Sequence, residues 1–375
     1  MTTPTGQISL DDVKDEFGRA APDGDTTGTA ISLGKYRVND AATLNKPLDV
    51  GVPQSGTIKM SDLKGRTRNV VFRYSGTIKR EDLDDTEKAA LNLKSVYDAN
   101  QNAFQDQTIT QPLMVGGFIT RPTDLSDTSK PVIITAQVDG ILGSKRTTYG
   151  NPSEQFVALD TGTFGIGSSI RIQVTNTGQI YGAGGRGGRG SSGNGNGGDG
   201  INGTTAIGVR AGNGSVTIVN QGGLIQCGFA GGGGGGGSYD DPSKSMTDPV
   251  TSGGGGGGGA GFPPGLGGAA GTNAQKGTNG AAGTTAASQT RGNGGAGGSP
   301  NEGSSGGGDG GNGGDNNIAA ENGDDGAGGN QANGTKGSAG SNGAAVRLQA
   351  GATAPTYIND GFIIGSTTEV GFTGN

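Results

Sequence analysis

The 375-residue chain contains 84 glycines and 14 prolines, and only 29% of its residues are hydrophobic. Its formal net charge of −6 argues against a protein that coats nucleic-acid phosphates. The chain has no histidine and one cysteine, which excludes a Ser-His-Asp triad, an HExxH metal site, an intrachain disulfide and a cysteine-rich zinc site. We therefore expect no enzyme, no cofactor and no metal site.

Targeting signals are also missing from the sequence. The first six residues, Met-Thr-Thr-Pro-Thr-Gly, have neither a basic region nor an apolar stretch, so we expect no secretory signal peptide. No run of about 18 apolar residues occurs anywhere, so we expect no insertion into a membrane.

A short motif recurs in the first eighty residues. Residues 6–13, 28–33, 56–63 and 76–83 each begin with Gly and place Ile two or three positions later. In each full copy the pattern predicts a short extended piece that leads into a helical turn capped by Asp or Ser. Such units are too small to fold alone, so we expect them to pack on each other or on a partner.

One longer helix is predicted at 84–104. Asp84 and Glu87 resemble a capping box at its start. The apolar residues that follow at helical spacing form one stripe: Ala90, Leu93, Val96, Tyr97 and Phe104. This stripe fits a helix that faces the core, and it also fits a seam between subunits.

Residues 108–181 contain short β-branched runs, which predict a β-rich region. A pattern x-x-Asn-x-Gly-x-Ile-x-Gly occurs at 174–182 and 357–365, with a third copy, one residue longer, at 218–225. Each copy predicts a strand, an Asn/Gly turn and a second strand. We therefore expect the C-terminal copy to return to the same β platform.

Glycine is periodic between residues 182 and 343. It recurs at every third position in several stretches, and two pure runs occur at 231–237 and 253–259. Three residues per turn is the period of the polyproline-II conformation. Neighbouring chains without Cβ atoms can approach closely enough to form backbone hydrogen bonds, so the pattern favours a bundle of polyglycine-II helices.

Three alternatives to this bundle are less consistent with the sequence. Collagen needs abundant proline, and 182–343 contains few. A calcium-binding β-roll needs an acidic sixth and an aliphatic eighth position, which 307–315 lacks. A flexible linker, which is the simplest alternative, needs neither a strict period nor flanking strands.

In such a bundle the interruptions of the glycine pattern become loops between helices. The clearest is 238–252, which has seven glycines on each side, and others are 287–291, 299–305 and 316–322. Each could be a solvated connector or a variable tip on a rigid support.

These residues resemble bacteriophage tail-fibre and distal tail-fibre adhesin proteins, especially T-even-like adhesins with a polyglycine-II domain. The resemblance rests on Val-Thr-Asn-Thr-Gly-Gln-Ile at 174–180, the two pure glycine runs, and Gly-Phe-Pro-Pro-Gly at 261–265. The motifs of the first eighty residues and Leu-Lys-Ser-Val-Tyr-Asp at 93–98 also look like segments of phage fibre proteins.

The resemblance implies a virion protein that is made in the host cytoplasm and recognises a host cell-surface receptor, a protein or a glycan. Its other partners would be phage tail or fibre proteins, as a homotrimer or as a monomer on a trimeric fibre. It implies receptor contacts at the following residues: Tyr239, Asp240, Asp241, Pro242, Lys244, Met246 and Ile318. The long strand-rich N-terminal part leaves a second hypothesis open, a structural component of the tail tip, baseplate or fibre joint that binds no receptor. An RNA-binding role for Arg186 and Arg189 does not fit an acidic chain.

The predicted fold is mostly β and irregular: an N-terminal α+β or β-rich attachment region followed by a glycine-rich bundle of polyglycine-II helices. Its parts are an attachment region at 1–110 that contains the helix, a β-rich platform at 111–181, a polyglycine-II domain with tip loops at 182–343, and C-terminal strands at 344–375.

Overall fold

The chain is mostly β, with parallel sheets and few helices. The computed structural model describes the following residues: 5–9, 57–64, 69–83, 88, 91–99, 133–147, 156–165, 167–193, 195–238, 251–272, 277–284, 290–297, 306–316, 318–327 and 333–372. The strands, in chain order, are β1 (Asn69–Tyr74), β2 (Thr77–Lys79), β3 (Ile133–Val138), β4 (Ile141–Gly143), β5 (Val157–Asp160), β6 (Ser169–Val174), β7 (Gln179–Tyr181), β8 (Thr205–Val209), β9 (Ser215–Asn220), β10 (Leu224–Gln226), β11 (Val346–Leu348), β12 (Thr356–Asn359), β13 (Phe362–Ile364) and β14 (Glu369–Val370).

The strands form a three-sided parallel β-helix. The first sheet has the order β1-β3-β6-β9-β12, the second β13-β10-β7-β4-β2, and the third β14-β11-β8-β5. Successive strands along the chain fall in successive sheets, so each turn of the chain adds one strand to every side. We call each such turn a rung. In the first rung Asn92 takes the third side, because it pairs in parallel with Asp160 of β5.

Alternating side chains explain why the interior of the β-helix is apolar. In β6, Ile170, Ile172 and Val174 are buried, while the intervening Ser, Arg and Gln are half-buried. The parallel register stacks Ile172 on Ala136 of the rung before and on Ile218 of the rung after. Each fully buried aliphatic side chain stabilises the fold by about 2 kcal/mol.

A short helix, α1 (Leu93–Ala99), follows Asn92 in the first rung of the β-helix. Leu93, Val96 and Tyr97 lie in the same buried cluster as the strand residues, so this part of the predicted stripe faces the core. The predicted helix 84–104 is interrupted at Asn92, whose backbone pairs with a strand. The Asn92 side chain caps the helix that follows, because it accepts a hydrogen bond from the backbone amide of Ser95 at 3.0 Å.

Two copies of the N-terminal motif form the expected extended piece and helical turn. Their 3-10 turns are Met60–Leu63 and Arg80–Asp82. The predicted caps are wrong, because lysine, at 59 and 79, occupies both cap positions. In the first copy Asp62 acts from inside the turn, where its carboxylate accepts a hydrogen bond from the Lys59 amide at 2.8 Å.

The Asn/Gly repeat marks corners between sheets. In its three copies the flanking strands are β6 and β7, β9 and β10, and β12 and β13, and in each case the two strands belong to different sheets. The predicted strand, turn and second strand are therefore present in each copy, and each turn carries the chain from one sheet to the next. The corners stack: a Cβ on Gly223 would approach the carbonyl oxygen of Gly178 to 2.6 Å, so only glycine allows the rungs to approach so closely here.

The glycine-rich residues are two insertions at one edge of the β-helix. Residues 182–204 join β7 to β8, and residues 227–345 join β10 to β11. Together they contain ten extended runs, which we call the glycine array: 182–190, 197–204, 228–237, 252–261, 265–271, 277–284, 290–297, 306–314, 320–327 and 333–343.

Backbone hydrogen bonds join neighbouring runs at every third residue. Gly188 donates to the carbonyl of Gly232 and Ser191 to that of Gly235, both between parallel runs. The hydrogen bonds between antiparallel runs also recur at every third residue. By these bonds the runs form three layers: 197–204, 182–190 and 265–271 in the first; 333–343, 228–237, 252–261 and 277–284 in the second; 320–327, 306–314 and 290–297 in the third.

The position of a run in the layers explains its glycine content. The two pure glycine stretches lie in the inner runs of the middle layer, which are hydrogen-bonded to runs on every side. A Cβ on Gly231, Gly232 or Gly233 would overlap a carbonyl oxygen of a different neighbouring run in each case. An outer run keeps one side free, and larger residues such as Leu266 point outward there.

Side chains complete the backbone hydrogen bonding of the outer runs. Asp199 and Asn202 accept hydrogen bonds from the amides of Ser338 and Ser341 at 2.8 and 2.7 Å. Asn322 accepts one from Ala339 at 2.8 Å in the same manner. Carboxylate and amide oxygens thus replace the carbonyl of a missing neighbouring run.

The β-helix holds the array through side chains of its first three rungs. Arg146 makes a bidentate ion pair with Glu81, at 2.8 and 2.9 Å, and donates to the carbonyl of Pro264 at 3.3 Å. Phe262 packs beside Tyr181, with ring centroids 6.1 Å apart. The array is therefore fixed against one side of the β-helix.

Candidate functional site

The array has two ends. At the proximal end the runs begin beside the β-helix, since Gly182 follows β7 and donates to the carbonyl of Gln226 in β10. The distal end lies nine residues further along the chain at Ser191, about 28 Å away at 3.1 Å for each residue. Backbone hydrogen bonds there join Ser191, Gly235, Gly253 and Gly271.

The longest interruption leaves the array at the distal end. Its two ends, Ser238 and Thr251, exchange backbone hydrogen bonds of 3.2 Å, and their hydroxyl groups lie 2.5 Å apart. Both side chains are buried, as is Ser252. The base of this segment is therefore pinned to the array.

Most predicted receptor residues lie in that segment. Tyr239, Asp240, Asp241, Pro242, Lys244 and Met246 lie outside the described residues. Ile318 is described, and 45% of its surface is exposed. It follows Gly314, which donates to Ala230 at the proximal end of the array. The structure therefore does not bring Ile318 together with the ends of the 239–250 segment.

The other predicted loops divide between the two ends. The run that precedes 299–305 and the run that follows it meet at the distal end, where Gly297 approaches Gly307. The loop at 287–291 joins two runs at the proximal end, because Gly292 donates to Gly258 and Gly283 donates to Gly265.

Three further segments are connected at the distal end: 191–196, 273–276 and 328–332. Ser192 and Thr272 meet there, with their hydroxyl oxygens 3.2 Å apart, and Gly326 donates to Gly334. The sequence analysis missed these segments because they are short and poor in large residues. These segments could have been found from the alternating direction of successive runs, because a chain that runs back and forth makes every second connection at the same end.

Two carboxylates near the distal end accept hydrogen bonds from backbone amides. Asp309 accepts a hydrogen bond from Gly297 at 2.7 Å, and Asp325 accepts one from Lys336 at 2.7 Å. Among the described residues, no group of three or more His, Cys, Asp or Glu side chains could hold a metal ion. This end therefore offers contact surface and hydrogen-bonding groups.

A buried ionic cluster lies away from this end, in the third sheet. Asp160 is fully buried and pairs with Arg210, whose Nη2 lies 2.6 Å from its carboxylate. The Asn92 side chain and the Gly162 amide donate to the same carboxylate at 3.0 and 2.9 Å. The hydrogen bond to Asp160 raises the pKa of Arg210, against the opposing effect of burial. Both carboxylate oxygens of Asp160 therefore accept hydrogen bonds. Because Asn92, Asp160 and Arg210 belong to the first, second and third rungs, the cluster links these three rungs.

We expect Cys227 to resist alkylation in the native protein. Its side chain is 1% exposed, and burial raises the pKa of the thiol to about 12. Since the thiolate is the reactive form, the native thiol stays unreactive at pH 8, where the unfolded thiol reacts. Mass spectrometry after iodoacetamide treatment, with and without denaturant, measures the extent of alkylation at Cys227. Because the chain has no other cysteine, Cys227→Ser gives the background, and rapid native labelling would contradict the burial.

No helix among the described residues is long and apolar enough to cross a membrane. No curated protein matches the chain. One solved structure, the gp37–gp38 adhesin tip complex of the bacteriophage S16 long tail fibre, matches with 20% identity and a TM-score of 0.35, over 83% of this chain and 87% of that one.

A family model described as phage tail fibre adhesin Gp38 matches residues 85–368, which include most of the β-helix and all of the described glycine array. The protein therefore belongs to this family of phage tail fibre adhesins.

Proposed function

We propose that this tail fibre adhesin recognises a host cell-surface receptor through the segments at the distal end of the glycine array. The observation that carries the proposal is the convergence of five chain connections at that end, each held by hydrogen-bonded runs. Surface segments on a rigid support are the usual place for recognition. Their contacts would come from Tyr239, Met246 and the charged residues between them.

We also propose that the runs of the array are polyglycine-II helices. Three observations support this: the three-residue repeat of the hydrogen bonds, the overlap that a Cβ would cause on each face in turn, and the layered packing. A polyproline-II chain has three residues per turn and no internal hydrogen bonds, so all of its bonds go to neighbours. Such an array is rigid without an apolar core.

The remaining parts of the chain would attach the adhesin to the particle. We propose that the first 110 residues contribute the attachment to another phage fibre protein and that residues 111–181 with 344–375 form the platform for the array. Strands on both sides of residue 110 pair in one sheet, so the attachment would be continuous with the β-helix. As a family member the protein is a virion component, and its role would be binding without catalysis.

We expect replacement of residues 239–246 by a Gly/Ser segment of equal length to abolish or redirect adsorption. Ser238 and Thr251, which pin the base of the segment, stay in place, so the array should remain folded. The measurement is adsorption of assembled particles to host cells, together with the amount of adhesin incorporated. Pro242 and Pro249 restrict the native segment and so lower the entropy cost of binding, and the replacement removes the restriction at Pro242.

The matched control replaces 285–289, which joins the runs 277–284 and 290–297 at the proximal end, with a Gly/Ser segment of equal length. This variant should adsorb normally. Unchanged adsorption by the 239–246 variant in particles with normal incorporation would contradict the proposal. It would favour a structural component that binds no receptor.

A further inference from the structure

Asn-Gly pairs recur through the glycine array. Eight of them lie in its described runs or at their ends: 196–197, 202–203, 279–280, 293–294, 312–313, 322–323, 333–334 and 342–343. An Asn that precedes Gly is the most prone to deamidation, because Gly has no side chain to hinder its backbone nitrogen. That nitrogen loses its proton, bonds to the Asn Cγ and expels the side-chain nitrogen as ammonia. Water then opens the resulting succinimide to Asp or isoaspartate.

The attacking nitrogen of every one of these pairs is a hydrogen-bond donor in the array. Gly294 donates to the side-chain oxygen of Asn312 at 2.9 Å. The other seven donate to backbone carbonyls of neighbouring runs at 2.8 to 3.1 Å: Gly197, Gly203, Gly280, Gly313, Gly323, Gly334 and Gly343. A bonded amide must open before base can remove its proton, which is also the condition for hydrogen exchange.

The Asn side chain is held as well in six of the pairs. Thr335 donates its amide to Asn196 Oδ1 at 3.0 Å, while its carbonyl accepts from Gly197 at 2.8 Å. The same arrangement, in which one neighbouring run binds both the Asn side chain and the Gly amide, occurs at five further residues: Asn202, Asn279, Asn312, Asn322 and Asn342. Attack within such a pair requires both hydrogen bonds to break.

We propose that these eight pairs are deamidation sites that the closed array keeps unreactive, so that opening of the array sets the rate of the reaction. Asp would be a tolerated product, since Asp199 and Asp325 already accept amide hydrogen bonds in the same way, at 2.8 and 2.7 Å. Isoaspartate lengthens the backbone by one carbon atom and would shift the three-residue register of its run. The array would thus preserve itself in an assembled particle, where a damaged copy is not replaced.

The test incubates the full-length chain in mildly alkaline buffer, with and without urea, and measures Asp and isoaspartate at each pair by peptide mass spectrometry. Isotopically labelled water distinguishes products of the incubation from those of sample handling. Each pair should react about a hundredfold or more slowly in the native protein than in the denatured chain, as protected amides do in hydrogen exchange. Equal rates in the two states would overturn the proposal.

A variant tests whether opening controls the rate. In Gly256→Ala the added methyl group would overlap the carbonyl oxygen of Gly232, and the Gly256 carbonyl also faces Gly280. Deamidation at Asn279 should therefore become about tenfold faster or more, together with hydrogen exchange of the Gly280 amide. Ala281→Val, an exposed change beside the same pair, should leave the rate unchanged.

An unchanged rate in Gly256→Ala, or an equal acceleration in Ala281→Val, would contradict control by opening. Because the assay needs no receptor, its result is independent of adsorption by the 239–246 variant.

Discussion

Gly256→Ala should destabilise the glycine array by about 3 kcal/mol, because overpacking of a well-packed interior costs this much. The added methyl group would overlap the carbonyl oxygen of Gly232 in the neighbouring inner run. Neither run can move aside, since Gly256 donates to Gly188 at 2.8 Å and accepts from Gly268 at 2.8 Å. Hydrogen–deuterium exchange should show faster exchange throughout 228–261 in the variant.

The matched control is Ala281→Val, which adds two methyl groups at an exposed position of an outer run. It should change stability by less than about 0.5 kcal/mol, as other exposed substitutions do. Gly280→Val, one residue earlier, faces the carbonyl oxygen of Gly256 and should be as damaging as Gly256→Ala. Equal effects at 280 and 281 would contradict the assignment of faces.

Asp160→Ala should destabilise the β-helix by about 3–5 kcal/mol, the usual cost of removing one partner from a buried ion pair. The variant leaves Arg210 without its counter-ion and leaves the donors of Asn92 and Gly162 without an acceptor. Arg80 is also affected, because it is 6% exposed and interacts electrostatically with Asp160. Thermal unfolding of the full chain measures the change.

Asp98→Ala is the control for this experiment. It breaks the ion pair of Asp98 with Lys94 on the exposed face of α1, where the two groups lie 2.5 Å apart. Such exposed pairs contribute less than about 1 kcal/mol. If Asp98→Ala destabilises the protein as much as Asp160→Ala does, burial of the ion pair does not determine how much it contributes to stability.

Local patterns in the sequence predicted individual elements better than their arrangement. The β-branched runs at 131–135 and 170–174 correspond to β3 and β6, because alternation and β-branching act within a few residues. The parallel β-helix was not predicted. Parallel pairing joins residues far apart in the chain, such as Leu224 and Phe362, and no local pattern records such a partner.

The candidate site was predicted only in part. Seven glycines on each side of 238–252 correctly indicated a loop between two runs, and the structure shows these runs to be antiparallel neighbours joined by the bond between Ser238 and Thr251. The role of Tyr239–Met246 stays a prediction. Ile318 was grouped with them because it is a large residue in a glycine background. Its position at the opposite end depends on the direction of the run 306–314, which composition does not encode.

The insertion of 227–345 between β10 and β11 has a consequence for folding kinetics. The third side of the fourth rung can form only after the chain has returned from the array, so β11 joins β8 late. Closing a segment of this length costs conformational entropy before the paired strands can compensate, and non-local parallel pairing is slow. The first three rungs should therefore form early on the ribosome and wait, with the edge of β8 unprotected, until most of the polypeptide has emerged. Aggregation through that edge is the hazard that such a delay creates.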